Sequence, residues 1–254
     1  AVYWDGLTGT WEWNGAWAQR TAVVPGLPTF GYCMAYDTTR QRTLCFGGSG
    51  GSATSPGMWE WNGPAGVWTQ RSVMPGPGVR TSAAIAYASA GNPPRLIMYG
   101  GRMGTAALDD TWEWAGANWQ SHAGIRPPAR SDHAMAYDPI RDVTVMFGGT
   151  AGGGAAQHFG DTWEYRGSGV WHLVSSSGPS PRVAHGMAYD PRCQMVVLFG
   201  GAYTVPTGTV SQAPGALGDT WGWDGAAQTW KLLVPEGAGP TRRPSPPGTP
   251  VTSP

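Results

Sequence analysis

Apolar residues in this chain come in short runs of about five, each closed by turn chemistry. One set ends in paired glycines: Leu44-Cys45-Phe46-Gly47-Gly48, Met98-Tyr99-Gly100-Gly101, Met146-Phe147-Gly148-Gly149 and Leu198-Phe199-Gly200-Gly201. A second set precedes it at Met34-Ala35-Tyr36-Asp37, Ile85-Ala86-Tyr87, Met135-Ala136-Tyr137-Asp138 and Met187-Ala188-Tyr189-Asp190. A third alternates aromatic and polar residues, from Thr10-Trp11-Glu12-Trp13 through Met58-Trp59-Glu60-Trp61, Thr111-Trp112-Glu113-Trp114 and Thr162-Trp163-Glu164-Tyr165 to Thr220-Trp221-Gly222-Trp223. A lone tryptophan follows each: Trp17, Trp68, Trp119, Trp171 and Trp230. The period is about fifty residues, so the chain is a repeat array before it is anything else.

Each landmark predicts a strand, named here A (Met-Ala-Tyr-Asp), B (the run into Gly-Gly), C (Trp-Glu-Trp) and D (the lone Trp). Asp138-Pro139 and Asp190-Pro191 favour tight A–B reversals, and Asn14-Gly15, Asn62-Gly63 and Asp224-Gly225 are strong C–D hairpin signals. Strand B is apolar on both faces, as in Val143-Thr144-Val145-Met146-Phe147, so it must be covered on both sides. Four-stranded antiparallel sheets packed between like neighbours are the blades of a β-propeller. No segment combines a helical apolar period with caps, so no helix is predicted.

Composition narrows the function classes. The chain has 254 residues, with 40 Gly, 23 Pro and 15 Trp but only 13% charged residues. Sixteen basic residues balance sixteen acidic ones, which gives no electrostatic footprint for nucleic acid or a polybasic membrane contact. No apolar run approaches the ~18 residues of a membrane span. Cys33, Cys45 and Cys193 are too few and scattered for a disulfide framework or zinc site, although Cys33 and Cys45 fall on adjoining strands where a bridge is conceivable. All basic residues but Lys231 are arginine, which points to a GC-rich genome. With the Pro/Ser/Thr-rich tail, it favours an exported, extracellular or periplasmic, bacterial protein.

The Gly-Gly closing strand B, the Trp heading strand D and the Arg before strand A together resemble the kelch repeat. The resemblance extends from about Val2 to Arg243 and implies an all-β, kelch-type propeller. The expected blade material is 1–20, 29–71, 80–122, 130–174 and 182–234, within a propeller domain of 1–239 and a proline-rich tail or linker at 240–254. The first copy starts in the strand B phase at Val2-Tyr3-Trp4, so the first blade lacks its innermost strand. Kelch rings commonly close with a C-terminal strand, and Arg242 stands in the right phase, but Pro244, Pro246, Pro247 and Pro250 suit an edge strand at best. The readings left open are a five-bladed ring with a poorly closed first blade and a fragment of a larger ring; the phase favours the fragment.

Residues recurring at one phase of every copy serve the repeat first. Glu12, Glu60, Glu113 and Glu164 therefore read as structural partners of arginine or backbone N–H groups, not as an unequal catalytic pair. Gly47-Gly48-Ser49-Gly50-Gly51 matches a nucleophile elbow formally but lacks the following helix, and Gly152-Gly153-Gly154 lacks the Lys-Ser/Thr of a phosphate loop. The B–C loops lengthen along the chain, from Gly48–Trp59 to Gly201–Trp221, and variable loops on a rigid scaffold carry recognition. The last, Ala202 to Gly218, contains Tyr203 and Gln212. At the same end lie Arg80, Arg102, Arg130 and Arg182, with His133 and His185 three residues after two of them. The kelch resemblance implies Arg80, Arg130 and Arg182 as contacts for acidic peptides; the competing reading pairs them with loop carbonyls or the repeated Glu. The expectation is a non-catalytic scaffold binding a protein or peptide through this face, without cofactor or metal. The alternative is a carbohydrate-active kelch-like enzyme or a glycan-binding module, which would need exposed Trp.

Overall fold

A computed structural model describes all residues except 5–8, 22–25, 51–56, 73–74, 92, 153–156, 204–214 and 239–254. Its described residues contain strands and turns but no helix, hence none long and apolar enough to cross a membrane. The first sheet is three-stranded: β1 (Val2–Trp4), β2 (Thr10–Trp13) and β3 (Trp17–Thr21). The second is β4 (Phe30–Asp37), β5 (Arg42–Ser49), β6 (Gly57–Asn62) and β7 (Val67–Ser72). In the third, β8 (Ala84–Ala88) and β9 (Arg95–Tyr99) are followed by a small hairpin, β10 (Arg102–Met103) and β11 (Ala106–Ala107), before β12 (Thr111–Trp114) and β13 (Trp119–His122). The fourth is β14 (Ala134–Asp138), β15 (Val143–Phe147), β16 (Thr162–Tyr165) and β17 (Trp171–Ser175). The fifth is β18 (Gly186–Asp190), β19 (Met195–Phe199), β22 (Thr220–Asp224) and β23 (Thr229–Val234), with the hairpin β20 (Ala202–Tyr203) and β21 (Gly215–Ala216) inserted between its B and C strands.

Four of the five blade sheets are antiparallel A–B–C–D meanders, the first is B–C–D, and the five form a five-bladed β-propeller. Among the described residues the first blade has no strand A, as its phase predicts, and a cavity of about 720 Å³ lies alongside Val2, against Met34, Ala35 and Tyr36 of β4. The fragment reading, the tail and Arg242 fall at residues outside the described set.

Tryptophans make the blades cohere. The described core divides into four clusters, one at each junction of successive blades, such as Leu44, Phe46 and Met58 of the second blade against Leu96, Met98 and Trp119 of the third. Strand B is buried on both faces in the three middle blades because each face meets a neighbour. Across the junctions run recurrent hydrogen bonds: Trp68 Nε1 donates to Thr10 Oγ1 (2.7 Å), Trp171 to Thr111 (3.0 Å) and Trp230 to Thr162 (2.8 Å). Trp119 meets Met58 at the same position and its Nε1 is left without a partner.

The repeated glutamates are structural, as their phase implies. Each pairs with arginine: Arg20 with Glu12 (3.2 Å), Arg40 with Glu60 (2.7 Å), Arg95 with Glu113 (3.2 Å) and Arg141 with Glu164 (2.7 Å). Three also accept from the next blade's C strand, through Trp61 to Glu12 (2.7 Å), Tyr165 to Glu113 (2.6 Å) and Trp223 to Glu164 (3.3 Å).

The conceivable Cys33–Cys45 bridge is not formed; both thiols are free. In the β4–β5 register Cys33 faces Phe46 while Cys45 faces Met34, so the period of two sends the side chains to opposite sheet faces. Burial pushes the Cys33 thiol up to about 12 and raises Cys45 as well.

Candidate functional site

The end of the propeller carrying the B–C loops is built on a repeated lock. Arg80, Arg130 and Arg182 each precede a strand A and turn inward. Their guanidinium groups chelate Asp110, Asp161 and Asp219, with the shorter arms at 2.6, 2.7 and 2.6 Å. Each also donates to the first Gly-Gly carbonyl of its own blade, at Gly100, Gly148 and Gly200. The same aspartates accept the indole N–H of Trp112, Trp163 and Trp221. Burial would raise the Asp110 and Asp161 carboxyls, but the paired arginines hold both below the usual range; for Asp219 the Arg182 hydrogen bond leads.

This geometry bears directly on the anion contacts drawn from the kelch resemblance. Arg80, Arg130 and Arg182 are buried, and the chain itself supplies the carboxylate that a ligand would have brought. The competing reading, arginines satisfying loop carbonyls, describes them better, although their acid is the aspartate before strand C and not the repeated glutamate.

His133 and His185 are also buried, edge-on to Tyr99 and Phe147 of the preceding blade at 5.7 Å. Their ring nitrogens make no hydrogen bond of ordinary geometry within the protein. Burial, reinforced by the neighbouring arginine, pushes His185 down to about 4 and His133 well below its ordinary value, so both are neutral at pH 7. Among the described residues no three His, Cys, Asp or Glu side chains converge as a metal site would need.

Two residues after each lock arginine the backbone turns left-handed, at Ser82 (φ 55°), Asp132 (φ 58°) and Ala184 (φ 54°), and Gly31 (φ 66°) does the same two residues after Thr29, which holds that phase in the second blade. That conformation is costly for non-glycine residues, and it is offset by a chain of backbone hydrogen bonds running from blade to blade. Ser82 N donates to Gly31 O (2.7 Å), Asp132 N to Ser82 O (3.0 Å) and Ala184 N to Asp132 O (2.9 Å). Among these four positions Asp132 alone is acidic, and its carboxylate takes Arg102 Nη2 and Ser131 Oγ. Arg102 thus sits at the rim, partly exposed, on β10.

Beside Arg102, between the second and third blades, lies a cavity of about 410 Å³ bordered by Phe30, Trp59, Val79, Arg102 and Met103. Phe30 and Met103 are 60% and 62% exposed, and Val79 is exposed too. Rim and groove together form a cleft whose lining includes exposed apolar side chains and Arg102, which is ion-paired with Asp132. Sequence reasoning selected Arg102 but missed Phe30, Val79, Met103 and Asp132. The available signal was departure from the repeat, since Phe30 and Met103 are large apolar residues in loop phase and Asp132 is an acid where other copies have Gly, Ser or Ala.

Tyr203 is exposed on β20, at the last blade and apart from the groove residues. Gln212 and most of its loop, with Gly51 and Gly153-Gly154, fall outside the described residues. The bridge between Val183 and Ala202, like that between Thr81 and Arg102, ties each inserted hairpin to the strand A entrance of its blade.

No model of a known protein family matches the chain. Over 106 residues, 41% of its length, it is 30% identical to Mei4-dependent protein 6 of Schizosaccharomyces pombe, and the match spans 15% of that protein. The chain therefore corresponds to a small part of that relative's length.

Proposed function

We propose that the chain is a kelch-type propeller that acts as a non-catalytic scaffold, binding a protein or peptide through the face that carries the B–C loops. The observation that carries this reading is the groove bordered by exposed Phe30, Val79 and Met103, with Arg102 also in its lining. A cluster of exposed apolar side chains beside a cavity favours a partner that covers it with large apolar residues of its own, while Arg102, held by Asp132, contributes hydrogen-bond donors at the margin. Arg80, locked to Asp110 and Gly100, borders the same cleft and supports the reading indirectly by fixing that edge of it.

Selection from a displayed peptide library against the folded chain tests it. Met103→Asp and Arg102→Ala should each weaken a selected peptide at least tenfold while leaving the far-UV spectrum unchanged. Peptides that bind both variants as tightly as the parent would place the site elsewhere. A glycan-binding reading has one observation in its favour: Trp13 and Trp17 are exposed side by side, ring centroids 5.5 Å apart. A glycan array decides that question, and retention of a defined oligosaccharide lost in Trp13→Ala would favour it.

A further inference from the structure

The cleft between the second and third blades suits one peptide conformation in particular. Its lining includes the half-buried indole of Trp59 and, at the margins, exposed Phe30 and Met103. Glycine keeps the groove open beside these rings. A Cβ on Gly26 (φ 92°) would stand 3.5 Å from Trp59 Cζ2, and Gly104 faces open space. Arg102 gives its Nη2 to Asp132, and its Nη1 makes no further hydrogen bond among the described residues. An aromatic-lined groove with donors at its edge is the usual receptor for a polyproline II segment. Proline rings ride against the aromatic faces, and carbonyls that no internal hydrogen bond satisfies take the donors.

The chain itself carries such a segment. Residues 240–254 lie outside the described set, and their sequence contains Pro240, Pro244, Pro246, Pro247, Pro250 and Pro254. Each proline fixes φ near the polyproline II value, so little entropy is lost on docking. The segment is also delivered to the right end of the propeller. Beyond β23, Glu236 Oε1 accepts from Gly218 N at 3.1 Å, in the last B–C loop, so the chain leaves the fifth blade on the face that holds the cleft. At ~3.1 Å per residue, Pro246 lies up to ~25 Å from Ala238 and Pro254 up to ~50 Å. A compact chain of this length is about 45 Å across, so the cleft is within reach. The larger cavity alongside Val2 fits worse. It is bordered by Asn14, Gln41 and Gly63 of the A–B and C–D hairpins, at the opposite end, and proline has no N–H with which to extend the β1 ladder.

We propose that the proline-rich segment 240–254 docks in the Phe30, Trp59 and Met103 cleft of its own chain, with Pro246 and Pro247 against the rings and an adjoining carbonyl on Arg102. The inference rests on the cleft being the binding face, and it adds a regulator: an external peptide must displace the segment, so its apparent affinity falls by the fraction of clefts already filled.

Methionine-methyl NMR of the full chain tests this, because Met103 borders this cleft and Met34 the other cavity. Met103→Leu and Met34→Leu assign the two signals, and circular dichroism checks that every variant folds. In Pro246→Ser/Pro247→Ser the Met103 signal should move and the Met34 signal should not. The difference should survive about tenfold dilution, since docking within one chain does not depend on concentration. The same variant should bind a peptide selected against the cleft at least about threefold more tightly than the parent does. A Met103 signal that stays in place, a shift at Met34 instead, or a difference lost on dilution overturns the inference. Equal peptide affinity for parent and variant overturns it too, while leaving the proposed function intact. A moved Met103 signal with no external peptide ever selected supports the docked segment and removes the external partner.

Discussion

Replacing Arg130 with alanine distinguishes an arginine that builds the propeller from one that greets a ligand. The guanidinium is fully buried, holds Asp161 through two arms at 2.7 and 2.9 Å, and donates to the Gly148 and Pro128 carbonyls. It also lies 4.0 Å from the Phe159 ring centroid. Removing one partner of a buried ion pair leaves the other charge uncompensated, which costs about 3–5 kcal/mol. The carbonyls that lose their donor push toward the upper end, since an unmet buried acceptor costs ~1–3 kcal/mol. Against a total stability of about 5–15 kcal/mol, a loss near 4 removes a large fraction. Urea denaturation followed by tryptophan fluorescence gives the measurement, with Arg192→Ala, whose side chain is 89% exposed, as a control that should not move the midpoint. In Arg130→Ala/Asp161→Ala the penalties should fall short of their sum, since the second substitution removes the stranded carboxylate. If Arg130→Ala lost less than about 1 kcal/mol, the lock would not be structural.

Three further outcomes follow from the same contacts. His185 titrates near 4 in the folded chain against 6.5 when unfolded, so between those values the unfolded state binds more protons and stability falls as pH is lowered. His185→Ala should flatten that limb by up to ~1.4 kcal/mol per pH unit, a slope read from denaturation midpoints at pH 5 and 6; an unchanged slope would mean the imidazole is not held neutral. Dithionitrobenzoate should label Cys193 quickly and Cys33 and Cys45 only on unfolding, with all three thiols recovered under non-reducing conditions; recovery of one thiol would demonstrate a bridge. Gly148→Ala forces a Cβ to within 2.7 Å of the Arg182 carbonyl at φ 71°, and should cost more than the ~1–3 kcal/mol of backbone strain alone. Gly104→Ala, at φ 61° but facing open space, should cost no more than that strain, and equal losses in the two would remove the packing argument.

The repeat explains which parts of this protein were legible in advance. Strand order, the missing first strand and the structural role of the glutamates follow from phase, because a residue present in every copy answers to a contact present in every copy. Pairing across the lock was harder to read. Arg130 and Asp161 are far apart along the chain and belong to different landmarks, and nothing local says that the acid before strand C and the base before strand A converge on one Gly-Gly carbonyl. The Cys33–Cys45 proximity was misleading for a related reason: strand adjacency is visible from spacing, but sheet face depends on a one-residue register.

By itself, the sequence determined the blades: alternation, Gly-Gly punctuation and Asn-Gly turns are local constraints that act over a few residues and repeat. Only the tertiary structure decided which charges are spent and which surfaces remain. Burial of a guanidinium depends on what the neighbouring strands bring to it, and exposure of Trp17 or Phe199 depends on whether another blade stands in front. Neither quantity exists until the copies pack side by side.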